Sequence, residues 1–214
     1  MRFVYLHGFA SGPSSRKARF FADRFNEQGI PLETPELTPP ESEGGFEALT
    51  LTGQLALLER LIQNEPCVLM GSSMGGYLSA IYASRHPEVA RIVILAPAFC
   101  LARRWRENWG DERLEQWRSQ GYVEVFHYAQ QREARIGYGL IEDATRYPDY
   151  PAVRQPALIF HGIQDPIVPV EFAREFAART PASKLIEFDS GHELTDCMDA
   201  MWHETTNFVR GAAR

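Results

Sequence analysis

The sequence predicts an α/β fold, and three observations carry that prediction. Short, nearly continuous apolar runs recur along the chain, at Phe3–Leu6, Pro31–Thr34, Cys67–Met70, Ile92–Leu95, Ala157–Phe160 and Lys184–Phe188. Runs of that kind suit strands covered on both faces, as in a parallel sheet. Between them lie stretches of helical periodicity, so strand and helix alternate as in βαβ units. The third observation is length: 214 residues bury roughly 70% of the unfolded chain's surface, enough for one sizeable core. The expected organisation is therefore one domain over 1–214.

Each helix can be read from its stripe. Ala18, Phe21 and Phe25 share one face that ends at Gly29, and Leu51, Leu55, Leu58 and Ile62 make the next. Met74, Tyr77, Leu78 and Ile81 form a third that stops at His86-Pro87, and Leu194, Met198, Met201, Trp202 and Val209 mark the last helix. The Pro- and Glu-rich stretch Thr34 to Gly45 reads as an exposed loop. The region 99–150 breaks the alternation and is too long for an ordinary connection, so it is expected to be an insertion. Within it, Arg103 to Gln120 is helix-like and charged. Tyr122 to Phe126 alternates like a strand that could pair with Ile136 to Tyr138, and Ile141 to Tyr147 suits a short helix.

Composition excludes some functions. A net charge of −6 and a pI near 5.6 lack the basic excess that nucleic acid requires. The apolar run near Met1 is too short for a signal segment or a membrane span, which leads to the expectation of a soluble cytoplasmic protein with no membrane partner. Cys67, Cys100 and Cys197 are an odd, scattered set that suits a reducing compartment. No spacing of Cys, His and carboxylate residues matches a ligand set, so neither a metal nor an organic cofactor is expected.

Chemistry concentrates at Gly71-Ser72-Ser73-Met74-Gly75, behind an apolar run and ahead of a helical stripe. A G-x-S-x-G turn of this kind places its serine on a cramped strand-to-helix bend that glycine alone tolerates on either side. Ser73 would be the nucleophile, with the Met74 amide beside it at a helix N-terminus. A serine hydroxyl needs a histidine base, and that base needs a carboxylate. His192, in Asp189-Ser190-Gly191-His192-Glu193, follows the last strand, and Asp165 follows the preceding one. The order Ser, Asp, His is that of α/β-hydrolases, in contrast to the chymotrypsin and subtilisin orders. Asp189 and Glu193 are too near His192 in sequence to orient it from its far side.

A second oxyanion donor should come from the loop after the first strand, Leu6-His7-Gly8-Phe9-Ala10-Ser11-Gly12-Pro13, where Gly8 can aim the Phe9 amide. His7 then serves as a structural hydrogen-bonding residue. A phosphate-cradling role for this loop is disfavoured, because no G-x-x-x-x-G-K-[ST] or G-x-G-x-x-G spacing is present. Of the other histidines, His161 is expected to end its strand and bond locally, His86 to cap a helix, and His127 and His203 to lie away from the site.

Through the elbow, the His7-Gly8 loop, Asp165 and His192, the chain resembles the α/β-hydrolase superfamily along nearly its whole length. Tyr5-Leu6-His7-Gly8-Phe9 with Ser11-Gly12-Pro13, Lys17-Ala18 and Gly71 to Tyr77 is similar to the small bacterial YqiA-type esterases. His161-Gly162 to Asp165-Pro166-Ile167-Val168-Pro169 is similar to many serine esterases, thioesterases and peptidases of the superfamily. The resemblance implies a mostly parallel sheet of about six strands in the order 2-1-3-4-5-6, lacking the first two strands of longer relatives. It implies Ser73 as nucleophile, Asp165 as acid, His192 as base and the Phe9 and Met74 amides as oxyanion donors. It also implies that the insertion 99–150 is a small cap.

The expected activity is hydrolysis of a small-molecule carboxylic ester or thioester through an acyl-enzyme. Alternatives on the same residues are a peptidase, a C–C bond hydrolase, or a non-catalytic ligand-binding protein. Trp105, Trp109, Trp117, Tyr122, Phe126, Tyr128 and Tyr138 make the insertion aromatic, either to shape an apolar pocket or, more simply, to pack it onto the rest. Arg103-Arg104-Trp105-Arg106 could grip an anion, although a solvated helix face is the plainer reading with Glu107, Asp111 and Glu112 nearby.

Overall fold

A computed structural model describes residues 1–210; of the domain expected over 1–214, residues 211–214 lie outside the described residues. In chain order the elements are β1 (Arg2–Leu6), α1 (Arg16–Asn26), β2 (Leu32–Glu33), α2 (Leu51–Ile62), β3 (Cys67–Ser72), α3 (Met74–Arg85), β4 (Val89–Leu95), α4 (Leu101–Gln120), β5 (Tyr122–His127), β6 (Arg132–Gly137), α5 (Gly139–Ala144), β7 (Ala157–Gly162), α6 (Val170–Arg179), β8 (Ser183–Phe188) and α7 (Met198–Arg210). Six strands form one sheet in the order β2-β1-β3-β4-β7-β8, and every pairing within it is parallel. Counted along this sheet, that is the expected 2-1-3-4-5-6 order.

The strand pleat divides the core. Val4, Leu6, Leu69, Ile92, Ile94 and Ile159 pack with α2, α3 and α6 on one face, while Phe3, Tyr5, Val68, Met70, Val93, Leu158 and Phe160 pack with α1 and α7 on the other. Successive side chains of a strand point to opposite faces, so each apolar run feeds both layers at once. The helix starts are fixed locally. The Ser15 hydroxyl accepts from the Ala18 amide and the Thr50 hydroxyl from the Gly53 amide, which satisfies donors otherwise left free in the first turn.

The segment between β4 and β7 carries α4, α5 and an antiparallel two-stranded sheet of β5 and β6. Helix α4 starts two residues before the expected Arg103 and is broken at Gly110, whose φ of 73° and ψ of 163° no helix accommodates. The hairpin is longer than expected, reaching from Tyr122–His127 to Arg132–Gly137. Glu133 and Arg135 sit on its exposed face and Arg132 is exposed at its start, and these charges disguise β6. Helix α5 begins and ends before the expected Ile141 to Tyr147, and α7 starts at Met198, since Leu194 lies ahead of it with a φ of 53°. In the loop 34–45, Leu37 departs from the expected exposure: it is buried, and its amide donates to His7 Nε2 at 3.2 Å.

Candidate active site

Strand β3 is buried from end to end, and at its carboxyl end Ser73 adopts a φ of 53° and a ψ of −116°. A positive φ at a residue bearing a side chain costs of order 1–3 kcal/mol and needs surroundings that enforce it. Here the Ser73 amide donates to the Leu95 carbonyl at 2.8 Å, and the Ser73 carbonyl accepts from Ala98 at 2.9 Å and Tyr77 at 3.1 Å. A Cβ on Gly71 would collide with the Gly75 carbonyl, and one on Gly75 with the carbonyls of Leu6 and His7. Those close approaches allow α3 to leave the strand so abruptly, and they leave the Ser73 side chain half-exposed at the end of the sheet.

His192 and Asp165 arrive at the same point from β8 and β7. His192 Nε2 lies 3.1 Å from Ser73 Oγ, and His192 Nδ1 lies 2.7 Å from Asp165 Oδ2. With Nδ1 donating to the carboxylate, Nε2 is left to accept the serine proton. Asp165 is itself held: its Oδ1 accepts the Ile167 and Val168 amides, each at 2.8 Å. The His161 ring, fully buried, places Nε2 3.3 Å from Asp165 Oδ2 and 2.7 Å from the Val168 carbonyl. Burial works to raise the Asp165 carboxyl, but the hydrogen bonds from His161, His192 and Val168 outweigh it and hold it well below the usual carboxylate range. His161 thus bonds locally as expected and also touches the acid, a role its position at a strand end did not reveal.

The loops bearing acid and base are pressed together. A Cβ on Gly162 would run into the Ser190 and Gly191 carbonyls, and the Gln164 amide donates to the Ser190 carbonyl at 3.0 Å. Lys17 adds a tie from α1: its ammonium, almost fully buried, donates to the Glu193 carbonyl at 2.8 Å and reaches the Glu193 carboxylate at 3.2 Å. Burial lowers the Lys17 pKa while Glu193 raises it, with the net shift downward. Its sequence signal was a lysine inside an amphipathic stripe, beside Ala18.

The Phe9 loop lies against the elbow, where a Cβ on Gly8 would sit 3.4 Å from both the Ser72 carbonyl and Ser73 Cβ. Met74 opens α3, where a first-turn amide has no helical acceptor. Among the described residues, neither the Phe9 nor the Met74 amide donates to a protein acceptor. His7 fixes this loop: Nδ1 donates to the Gly8 carbonyl at 2.9 Å while Nε2 accepts the Leu37 amide.

A cavity of about 1230 Å³ opens over Ser73 and His192. The aromatic segment divides there. Trp105, Phe126 and Tyr128 line the cavity with Phe9, whereas Trp117 is buried, donates to the Ile136 carbonyl at 3.1 Å and packs at a tilt, with ring centres 5.1 Å from Trp105 and 5.3 Å from Trp109. In the basic run, Arg103 and Arg106 are exposed as a solvated face requires, and Arg103 pairs with Asp149 at 3.2 Å. Arg104 departs from it, being buried and part of the cavity wall. Among the described residues no group of three or more His, Cys, Asp or Glu side chains is arranged to hold a metal ion, and no helix is long and apolar enough to cross a membrane.

The chain matches the model of the Uncharacterised protein family (UPF0227) over residues 2–208. It is similar to the pimeloyl-[acyl-carrier protein] methyl ester esterase of Aromatoleum aromaticum, at 28% identity over 88% of this chain and 90% of that protein. It is also similar to the AB hydrolase superfamily protein YisY of Bacillus subtilis, at 25% identity over 69% of this chain and 68% of that protein. Among solved structures, alpha/beta hydrolase domain-containing protein 10 from mouse superposes with a TM-score of 0.81 at 18% identity, covering 98% of this chain and 90% of that one. Sheet order, elbow and family match agree: the chain belongs to the UPF0227 family and has the α/β-hydrolase fold.

Proposed function

We propose that the protein is a serine hydrolase that cleaves carboxylic ester or thioester bonds of small-molecule substrates. The observation that carries this reading is the relay of hydrogen bonds at 3.1 and 2.7 Å from Ser73 through His192 to Asp165, opening onto the cavity. Ser73 Oγ attacks the substrate carbonyl as His192 Nε2 takes its proton. Asp165, kept ionised by the amides of Ile167 and Val168 and by the His192 ring, steadies the imidazolium that forms. The oxyanion takes up the Phe9 and Met74 amides, each typically worth about a hundredfold to a thousandfold in rate. His192 then gives the proton to the departing alcohol or thiol. Water activated by the same ring releases the acyl group and restores Ser73.

Two similarities favour ester chemistry: a relative is named a methyl ester esterase, and the family signature around His7 and Ser73 resembles small esterases. In this reading residues 99–150 act as a cap whose Trp105, Phe126 and Tyr128 exclude water from the bound acyl group. The test is Ser73→Ala against an aryl butyrate, with circular dichroism confirming the fold. Turnover should fall by about 10⁴-fold or more, and a fluorophosphonate should label the native protein at Ser73 alone. Wild-type turnover in that variant would remove the proposal; faster cleavage of an aminoacyl arylamide than of any ester would replace it with a peptidase.

A further inference from the structure

The cavity wall contains a cation that the proposed reaction does not use. Arg104 is 5% exposed, and its guanidinium is held on two sides by backbone: Nε donates to the Phe99 carbonyl at 2.9 Å and Nη1 to the Ile167 carbonyl at 2.7 Å. Two of its five N–H donors are thereby used and three remain. Among the described residues no carboxylate pairs with it, and Nη2 has no protein acceptor. A buried guanidinium without a counter-ion is costly, because carbonyl dipoles only partly replace its hydration. The two carboxylates that do line the cavity are engaged elsewhere, Glu193 by Lys17 and Asp196 by the Ser190 hydroxyl at 2.6 Å. The apolar residues Leu101, Trp105, Leu140 and Ile167 line the same cavity.

We propose that Arg104 is a specificity-determining residue that receives the carboxylate of an anionic substrate, one in which a short apolar stem separates that carboxylate from the ester or thioester. The inference rests on the hydrolase reading for the ester and on Arg104 itself for the anion. The clamp on the Phe99 and Ile167 carbonyls fixes the plane of the guanidinium before substrate arrives, and its free edge matches a planar carboxylate. The stem lies along Leu101, Trp105 and Leu140, and the bound carboxylate supplies the direct ion-pair partner that Arg104 lacks among the described residues. Position 104 falls three residues after Leu101 and one before Trp105, which puts it on the inward stripe of α4 while Arg103 and Arg106 point to solvent.

The experiment compares kcat/KM for the monomethyl esters of succinate, glutarate and adipate with those of methyl butyrate, pentanoate and hexanoate, in the wild type, Arg104→Gln and Arg104→Lys. The wild type should favour the charged ester of the best length at least tenfold. In Arg104→Gln that ratio should collapse by at least tenfold, whatever rate is lost in common to both series, and Arg104→Lys should keep part of it. If Arg104→Gln does not fold, inhibition of the wild type by glutarate should still exceed inhibition by glutaramide at least tenfold. Hydrolysis of the neutral series with no charged preference, or a ratio unmoved by Arg104→Gln, overturns the proposal. Failure to hydrolyse either series and an aryl butyrate as well sinks the hydrolase reading instead, and whenever neither series is hydrolysed calorimetric titration of glutarate into wild type and Arg104→Gln decides the Arg104 site by itself.

Discussion

The two walls of the cavity are built on opposite principles. The wall that carries Ser73, Phe9 and Met74 grows from the ends of β1 and β3, where backbone meets backbone so closely that Gly71 and Gly75 admit no side chain. The opposite wall comes from the segment between β4 and β7, whose helix is broken at Gly110 and whose aromatic side chains range from the buried Trp117 to Tyr128, 66% exposed. The first wall fixes atoms to within fractions of an ångström, as proton transfer requires. The second offers surface that can be reshaped without disturbing the first, which is how one fold serves many substrates.

The contrast can be broken most forcefully at Gly75. Gly75→Ala drives a methyl into the carbonyls of Leu6 and His7, neither of which can yield without parting β1 from α3. We expect stability to fall by more than about 4 kcal/mol, as read by urea denaturation, and the proposed hydrolysis of an aryl butyrate to vanish with it. On the other wall, Trp117→Ala should cost about 3 kcal/mol, the low end for a large aromatic, because Trp105 and Trp109 can settle into the gap. Fluorophosphonate labelling of Ser73 should survive in that variant; its loss would show that the two walls are one cooperative unit. A smaller effect is expected at Trp105, which touches Phe9 edge-on at 5.9 Å: Trp105→Ala should lower kcat/KM by about tenfold, mostly through KM. A drop in kcat alone would place the ring in the chemistry.

The gentlest test concerns pH. Asp165 is held below the ordinary carboxylate range in the folded protein. Its bonds therefore add stability that is complete above the unfolded value of about 3.9 and is lost as pH falls toward the folded one. Asp165→Asn should be less stable than wild type by a constant margin from about pH 7 to pH 5, and that margin should narrow below about pH 4. A margin unchanged at pH 3 would show that Asp165 contributes through shape and not through charge.

The same contrast explains what could be read from the sequence. Strands buried on both faces write their burial into every residue, so Cys67–Met70 and Ala157–Phe160 were legible, as were the glycines of the elbow. β2 shrinks from the expected Pro31–Thr34 to Leu32–Glu33 because an edge strand pairs on one side only. β6 was mostly missed because its exposed charges hide a two-stranded sheet with one wet face. Ser73, His192 and Asp165 announced themselves by strand-end position and order. Lys17 and His161 did not, and the basic run 103–106 suggested an anion grip without showing that Arg104 alone turns inward, since only tertiary structure brings the Glu193, Val168 or Ile167 carbonyl to each.

Gly162 sets how the histidine and the carboxylate of the candidate site are carried. Because the turn after β8 rests directly on that glycine, with no side chain between them, the base and its carboxylate ride on a single rigid block. Under the proposed function, a substrate that displaces side chains of the aromatic wall would leave the 2.7 Å contact between His192 and Asp165 in place.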